Sequence, residues 1–430
     1  MNLTSSPNGN PVNIFISNHL QPLKHTMTLL AILLMPMLVA SCGPSSEADR
    51  PAAPVLLISL DGFMPGYLDS VDTPALDRLI AGGVLAEGMI PVFPTKTFPN
   101  HYSLVTGLYT ENSGLISNNM YDAEIDASFS LGNLDAVSDG RWYGGEPIWV
   151  TAEKQGIRTA TMFWPGSEAE IMGVRPTRWM PFDGSLPHET RVDSVISWLQ
   201  DSGDTRPGFL TTYFSLVDSY GHRYGPWTDS LYYAVAVVDS AMGYLLHELD
   251  RTGMTDRVNI IITSDHGMAQ VTDDRAIVLD EIINLDDVIV RDWSPVGMFQ
   301  PLEGKTEDVY SALKAAEANY TVYMKQDVPD VYRFKNHHRV PDIIMIADAG
   351  YSITTRSRLE QRGATGGVHG YDHRATEMQA FFLASGPGIR TGERIAPFQL
   401  VHVYELMCNL LNLEPAPNDG HPDSLRHILK

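Results

Sequence analysis

Val258-Asn259-Ile260-Ile261-Ile262-Thr263-Ser264 runs directly into Asp265-His266-Gly267. A short, continuous apolar run carrying three isoleucines reads as a strand buried on both faces. Its end presents a carboxylate and an imidazole side by side, and Gly267 is expected to permit a kink that turns both toward one ion. Two other apolar runs end in the same manner: Val55–Leu60 at Asp61, and Leu210–Val217 at Asp218, with His222 one tight loop later. In open α/β sheets, ligands gather beyond the carboxyl ends of the strands. Such a fold would bring Asp61, Asp218, Asp265, His222, His266 and the distant His369 around one hydroxyl, that of Thr97. That set suits a pair of divalent metals activating a nucleophile.

From Pro54 onward, apolar runs alternate with helical patterns. Thr73-Pro74 opens a helix over Ala75–Ile80, with Pro74 at its first position. Asn100–Leu108, His188–Asp201 and Ser230–Leu249 read as helices, and Arg158–Trp164 and Ala380–Ala384 as strands. The alternation predicts an α/β fold, a largely parallel central sheet with helices on both faces. The stretch Asp274–Ala349 breaks the rhythm with strands at Ala276–Leu279, Tyr320–Lys325 and Asp342–Ala347 and a helix at Thr306–Ala318. It is predicted to be a small α/β lobe, near 274–349, inserted into a main domain spanning 54–430.

The chain has 430 residues, 43% of them apolar, which is ample for a large core. Its formal charge of −22 argues against a general nucleic-acid surface, while leaving room for a small nucleotide held by metals. Lys24 and His25 precede the apolar stretch Leu29–Ala40, which is too short to span a bilayer and is interrupted by Pro36. Residues 1–41 are expected to be a cleaved signal region, with Met27 as an alternative start. Leu38-Val39-Ala40-Ser41-Cys42-Gly43 resembles a bacterial lipobox. It predicts a lipid anchor on Cys42, a tether over 42–53, and an exported lipoprotein of the bacterial cell envelope.

Each site residue also has an ordinary reading. Asp61 and Asp218 could be turn or cap residues, Thr97 a helix cap, and His369 a loop histidine amid glycines. Against this, coordination to a dication turns a weak Thr hydroxyl into a competent nucleophile, and a helix start after Thr97 would offer N–H groups to a phosphoryl oxygen.

The ordered set of motifs resembles a family. Lys96-Thr97-Phe98-Pro99-Asn100-His101-Tyr102, followed by Val105-Thr106-Gly107-Leu108-Tyr109, resembles the nucleophile segment of nucleotide pyrophosphatase/phosphodiesterases of the alkaline phosphatase superfamily. The resemblance continues through Asp61-Gly62, Phe163-Trp164-Pro165-Gly166-Ser167, Asp218 to Gly221-His222, Ser264-Asp265-His266-Gly267-Met268, His369-Gly370-Tyr371-Asp372 and Asp423-Ser424-Leu425-Arg426. It implies two zinc ions, or other divalent metals, one held by Asp61, Thr97, Asp265 and His266, the other by Asp218, His222 and His369. It implies that Thr97 attacks phosphorus to form a phosphothreonine, which water then hydrolyses, releasing a nucleoside 5′-monophosphate. Asn118 matches the asparagine that binds a phosphate oxygen, with the Phe98 N–H as a second donor to it. Phe98 and Phe182 match the base-stacking positions, although the family commonly has tyrosine at the second. His373 also departs from the asparagine the family often has there.

Three other readings compete. A lipid-headgroup diesterase would need an aromatic cage for choline, for which Trp164, Trp179 and Tyr371 are candidates. A phosphomonoesterase usually adds an arginine near the nucleophile, and no Arg lies between Thr97 and Tyr121. A non-catalytic zinc lipoprotein would favour Cys ligands, which this set lacks.

Overall fold

The computed structural model describes residues 52–430. The apolar stretch Leu29–Ala40, Cys42 and the tether as far as Pro51 lie outside the described residues.

Val55–Leu60 forms the middle of an eight-stranded sheet. In spatial order the strands are Glu393–Ile395, Gly83–Ala86, Phe382–Ser385, Asn259–Thr263, Val55–Leu60, Phe209–Phe214, Thr159–Met162 and Arg178–Met180. Pairing is parallel throughout except at Phe382–Ser385, which runs antiparallel to both its neighbours. Side chains alternate across a strand. Leu57 and Ile261 therefore join one apolar core, while Leu56, Ile58, Ile260 and Ile262 join another on the opposite face. The helices Pro74–Ala81, His188–Leu199 and Asp229–Thr252 cover the second face with Leu76, Val195 and Val238. Thr97–Thr106, Ile148–Lys154 and His402–Leu411 cover the first with Leu104, Trp149 and Leu406. The expected α/β architecture is present, and its continuous apolar runs follow from burial on both sides.

The reading of Leu210–Val217 as one strand does not hold. The strand stops at Phe214, Ser215 turns to helical φ/ψ, and Leu216–Tyr224 is a helix. An apolar run does not distinguish a buried strand from the first turn of a buried helix. Within 274–349, four antiparallel strands are ordered Val288–Asp292, Val296–Pro301, Ile343–Ala347 and Tyr320–Met324. The helix Thr306–Ala315 buries Val309 and Leu313 against them, in a third apolar cluster. The first two strands escaped the sequence reading because Asp292, Pro295 and Gly297 punctuate them like loops.

Candidate metal centre and active site

The centre forms where the parallel strands end. Asp61 follows Leu60, its N–H donates to the Phe214 carbonyl at 3.0 Å, and its own carbonyl accepts from Asp218 N–H at 3.0 Å. Gly62 has φ +67°, and a Cβ there would lie 3.1 Å from the Asp218 Cα and Cβ. Only glycine lets these two segments approach so closely. Asp218 and His222 occupy one face of the helix Leu216–Tyr224, with His222 Nε2 3.4 Å from Asp218 Oδ1. Helical i,i+4 spacing joins them, and the expected tight loop between them is corrected accordingly.

Asp265 and His266 are completely buried, and His266 Nε2 lies 2.9 Å from Asp265 Oδ2 and 3.6 Å from Asp61 Oδ1. Gly267 is not a left-handed kink. It lets the backbone press against a neighbour, since a Cβ there would meet the Glu377 carbonyl oxygen at 2.1 Å. His369 Nε2 lies 3.7 Å from Asp218 Oδ1, and its ring stacks on His266.

All three imidazoles are oriented in one way. His222 Nδ1 lies 2.8 Å from Gly367 O, His266 Nδ1 2.9 Å from Gly267 O, and His369 Nδ1 2.8 Å from Thr95 O. A carbonyl only accepts, so each Nδ1 carries the proton and each Nε2 directs a lone pair into the cluster. Facing those lone pairs are Asp61 Oδ1, Asp218 Oδ1 and Asp265 Oδ2, buried carboxylate oxygens without a hydrogen-bond donor. Acceptors crowd acceptors, a conflict that bound metal would resolve. Ligand atoms of Asp218, His222 and His369 fall within 4.8 Å of one another, as do those of Asp61, Asp218 and His266, and those of Asp61, His101 and Asp265. The mixed oxygen and nitrogen donors suit zinc and related divalent ions.

The electrostatics carry the same message. Burial, reinforced by Asp265 and Asp218, pushes the Asp61 carboxyl well above the usual carboxylate range. Burial also raises Asp218. Burial works against ionised Asp265 too, but in the metal-free site a proton on His266 Nε2, together with the neighbouring His101, holds it well below that range; a bound cation would take that proton's place. Burial and the neighbouring His266 and His222 push His369 well down, which keeps it neutral and ready to ligate.

Thr97 is the first residue of the helix Thr97–Thr106, with Lys96 at the cap position and no side chain capping. Its hydroxyl therefore does not serve as a cap. Thr97 Oγ1 lies 3.5 Å from His266 Nε2, at the edge of the cluster. Asn100 braces the preceding turn, donating to the Pro94 and Lys96 carbonyls and accepting from Val92 N–H.

The Phe98 N–H is engaged inside the protein, contrary to its expected role as a phosphate donor. It donates to Asn118 Oδ1 at 2.9 Å. This bond fixes the Asn118 amide and leaves its NH₂ as the donor available beside Thr97. Phe98 packs edge-on against Phe129, and half-exposed Phe182 packs against Phe163 and Tyr213. Tyr213 donates its hydroxyl to Asp61 Oδ2, so Phe182 borders the metal-side rim. The aromatic cage is not assembled: Trp164 and Tyr371 are buried and bonded to the His101 and Tyr351 carbonyls, leaving Trp179 exposed.

His101 went unassigned in the sequence reading. Fully buried, it donates Nδ1–H to the Thr97 carbonyl at 2.8 Å, accepts from Ser59 Oγ at 2.7 Å, and places Nδ1 3.3 Å from Asp265 Oδ2. Its position four residues after Thr97 on a helix was the available signal.

A metal-ready cluster at the strand ends of a parallel α/β sheet, with a hydroxyl at its edge, defines the class of metal-dependent phosphoryl-transfer folds. Residues 55–372 match the family described as Type I phosphodiesterase / nucleotide pyrophosphatase, and the chain belongs to that family. It is 36% identical, over 90% of its length, to venom phosphodiesterase CdcPDE of Crotalus durissus collilineatus. It is 37% identical to human ectonucleotide pyrophosphatase/phosphodiesterase family member 7, over 93% of this chain and 89% of that one. The chain spans about half the length of the venom phosphodiesterases it matches, 48% for CdcPDE. Murine ectonucleotide pyrophosphatase/phosphodiesterase 5, solved as an inactive threonine-to-alanine variant in complex with AMP, superposes with a TM-score of 0.84 at 35% identity, over 88% of this chain and all of that one.

These relatives correct the expectation of a bacterial cell-envelope lipoprotein. They are ectonucleotide enzymes of Homo sapiens and Rattus norvegicus and venom enzymes such as that of Crotalus. A six-residue lipobox is too short a pattern to stand against resemblance over the whole folded region.

Proposed function

We propose that this protein hydrolyses phosphodiester or pyrophosphate bonds of nucleotides through a phosphothreonine on Thr97, releasing a nucleoside 5′-monophosphate. The observation that carries the reading is the Thr97 hydroxyl at the edge of three buried carboxylate oxygens without a donor, one each from Asp61, Asp218 and Asp265, and three lone-pair-presenting imidazoles. The AMP held by the murine relative, in a variant inactivated by loss of a threonine hydroxyl, supports both the nucleotide and the nucleophile.

Asp61, Thr97, Asp265 and His266 would hold one zinc ion, and Asp218, His222 and His369 the other. When bound, two such ions lower the pKa of a hydroxyl and neutralise charge on the entering and leaving oxygens of an in-line displacement. Thr97 Oγ loses its proton and forms the Oγ–P bond as the bond from phosphorus to the leaving oxygen breaks. Water then attacks phosphorus, the Oγ–P bond breaks and Thr97 regains its proton. Asn118, its carbonyl held by Phe98 N–H, donates through NH₂ to a non-bridging oxygen whose charge grows in the transition state. Phe98 and Phe182 flank the place for the base. Residues 54–430 would form the catalytic domain, with the 274–349 lobe inserted in it.

Rates on the nitrophenyl ester of thymidine 5′-monophosphate, nitrophenyl phosphate and nitrophenylphosphocholine, with metal content measured on the same sample, test this reading. The nucleotide diester is expected to turn over fastest. Faster turnover of nitrophenyl phosphate would make the protein a phosphomonoesterase. Faster turnover of the choline ester would make it a headgroup diesterase. Thr97→Ala is expected to abolish hydrolysis while retaining metal, and full activity in that variant would overturn the nucleophile assignment.

A further inference from the structure

Three ionic or polar groups converge on one buried carboxylate that the chemistry above does not use. Asp292 ends the strand Val288–Asp292 of the four-stranded sheet, and its side chain is 6% exposed. Its Oδ2 accepts from Lys96 Nζ and from Ser117 Oγ, while its Oδ1 accepts from the Trp293 N–H. Lys96 is equally buried, so this is an ion pair with little solvent screening.

The partners' places in the chain give the contact its meaning. Lys96 immediately precedes Thr97, and Ser117 immediately precedes Asn118. One oxygen atom from the lobe thus ties down the neighbour of the proposed nucleophile and the neighbour of the proposed phosphate donor. The Phe98-to-Asn118 hydrogen bond closes the same arrangement from the other side. Lys96 is further enclosed by the loop after His369, since a Cβ on Gly370 would lie 3.1 Å from Lys96 Cε. Nothing in the arrangement places Asp292 among the metal-facing atoms, so its action on the reaction runs through its two partners.

We propose that Asp292 is a positioning residue of the lobe, a clamp that fixes the spacing between the Thr97 hydroxyl and the Asn118 amide. The inference rests on the roles given to Thr97 and Asn118 under Proposed function. A nucleophile and a charge-stabilising donor must share one geometry with the phosphorus, and a misplacement of about 1 Å costs about a hundredfold in rate. Substrate affinity, set by the metals and the aromatic residues, is left largely untouched. The lobe then serves catalysis from behind the site without contacting substrate.

Two variants test it on the full-length, metal-loaded protein. Lys96→Met combined with Asp292→Leu removes both charges and fills the space, an exchange that buried ion pairs commonly tolerate in stability. Ser117→Ala removes one hydroxyl and no charge. For each, kcat and KM on the thymidine 5′-monophosphate nitrophenyl ester, bound metal and Tm are measured. The expected result for the double variant is unchanged metal content, KM within about twofold and kcat lower by about a hundredfold. Ser117→Ala is expected to lose about tenfold in kcat, and to lose almost nothing when placed on Asn118→Ala, because clamp and donor act together. A folded double variant with wild-type kcat overturns the clamp, as does full additivity of Ser117→Ala with Asn118→Ala. If the double variant fails to fold, the Ser117 series alone decides. If Thr97→Ala retains turnover, the underlying reading fails instead, whatever the clamp variants show.

Discussion

His266 and His369 stack face to face, with ring centroids 3.5 Å apart and planes 13° from parallel, although the whole lobe lies between them in the chain. His266 belongs to the proposed first zinc site and His369 to the second. The stack sets the two sites against each other, and burial keeps both rings from adapting independently.

Metal retention should fall on acidification. Without metal, burial raises the Asp61 and Asp218 carboxyls, so protons compete with cations for these oxygens at pH values above the ordinary carboxylate range. Deprotonated carboxylates bind metal, so affinity is expected to drop as pH falls. Dialysis across a pH series, with metal and activity measured together, checks this: the two should disappear in parallel and return on zinc addition at neutral pH.

Asn118→Ala removes the amide aimed beside Thr97 and frees the Phe98 N–H. The loss in kcat is expected at about a hundredfold to a thousandfold, or roughly 3–4 kcal/mol, as for oxyanion-hole donors. Steady-state kinetics should show KM changed far less than kcat.

His101→Phe keeps the ring volume but strands Ser59 Oγ in a dry environment and removes the imidazole bond to the Thr97 carbonyl, which keeps its helical backbone partner. Each unsatisfied buried group costs about 1–3 kcal/mol. Chemical denaturation should therefore show a clear loss of stability. Turnover should fall as well, because the lost contact sits on the backbone of Thr97, the proposed nucleophile.

Phe182→Ala should raise KM for the thymidine ester and leave nitrophenyl phosphate little changed. Base stacking on an aromatic side chain contributes about 1–3 kcal/mol, so the increase should be roughly fivefold or more. An equal effect on both substrates would remove Phe182 from base recognition.

Asp122 is buried against Arg339 and His338. Burial opposes its charge, yet these two partners hold its carboxyl well below the usual range. A depressed folded-state pKa contributes stability above the unfolded value near 4, lost as pH falls through the folded value. Arg339→Leu should cost about 1–3 kcal/mol at neutral pH, because His338 and the Glu124 and Ile125 N–H groups still face the carboxylate after its strongest partner is lost. Urea unfolding of both proteins from pH 7 to pH 3 should show the gap narrowing in acid.

The strand ends were legible because burial on both faces writes a continuous apolar run, and the residue after it is set by chain order. Asp61 and Asp265 could be placed in this way. Asp218 could be assigned by type but not by element, since Leu216 and Val217 suit a buried strand or a buried helical turn equally. Asn118 could be named through family resemblance, whereas the engagement of Phe98 N–H by its side chain depended on a contact between separate segments. The need for Gly267 is hidden from the sequence for the same reason: it arises from the Glu377 carbonyl opposite, not from its own φ.

By itself, the sequence determined the α/β class, the strand ends before Asp61 and Asp265 and the side-chain types suited to metal, because these follow from local periodicity and chemistry. Only the tertiary structure decided which oxygen faces which nitrogen, which donors are already spent, and that His101 and Asp292 brace the Thr97 segment. Those relations are made between residues far apart in the chain, and no local pattern encodes the distance between them.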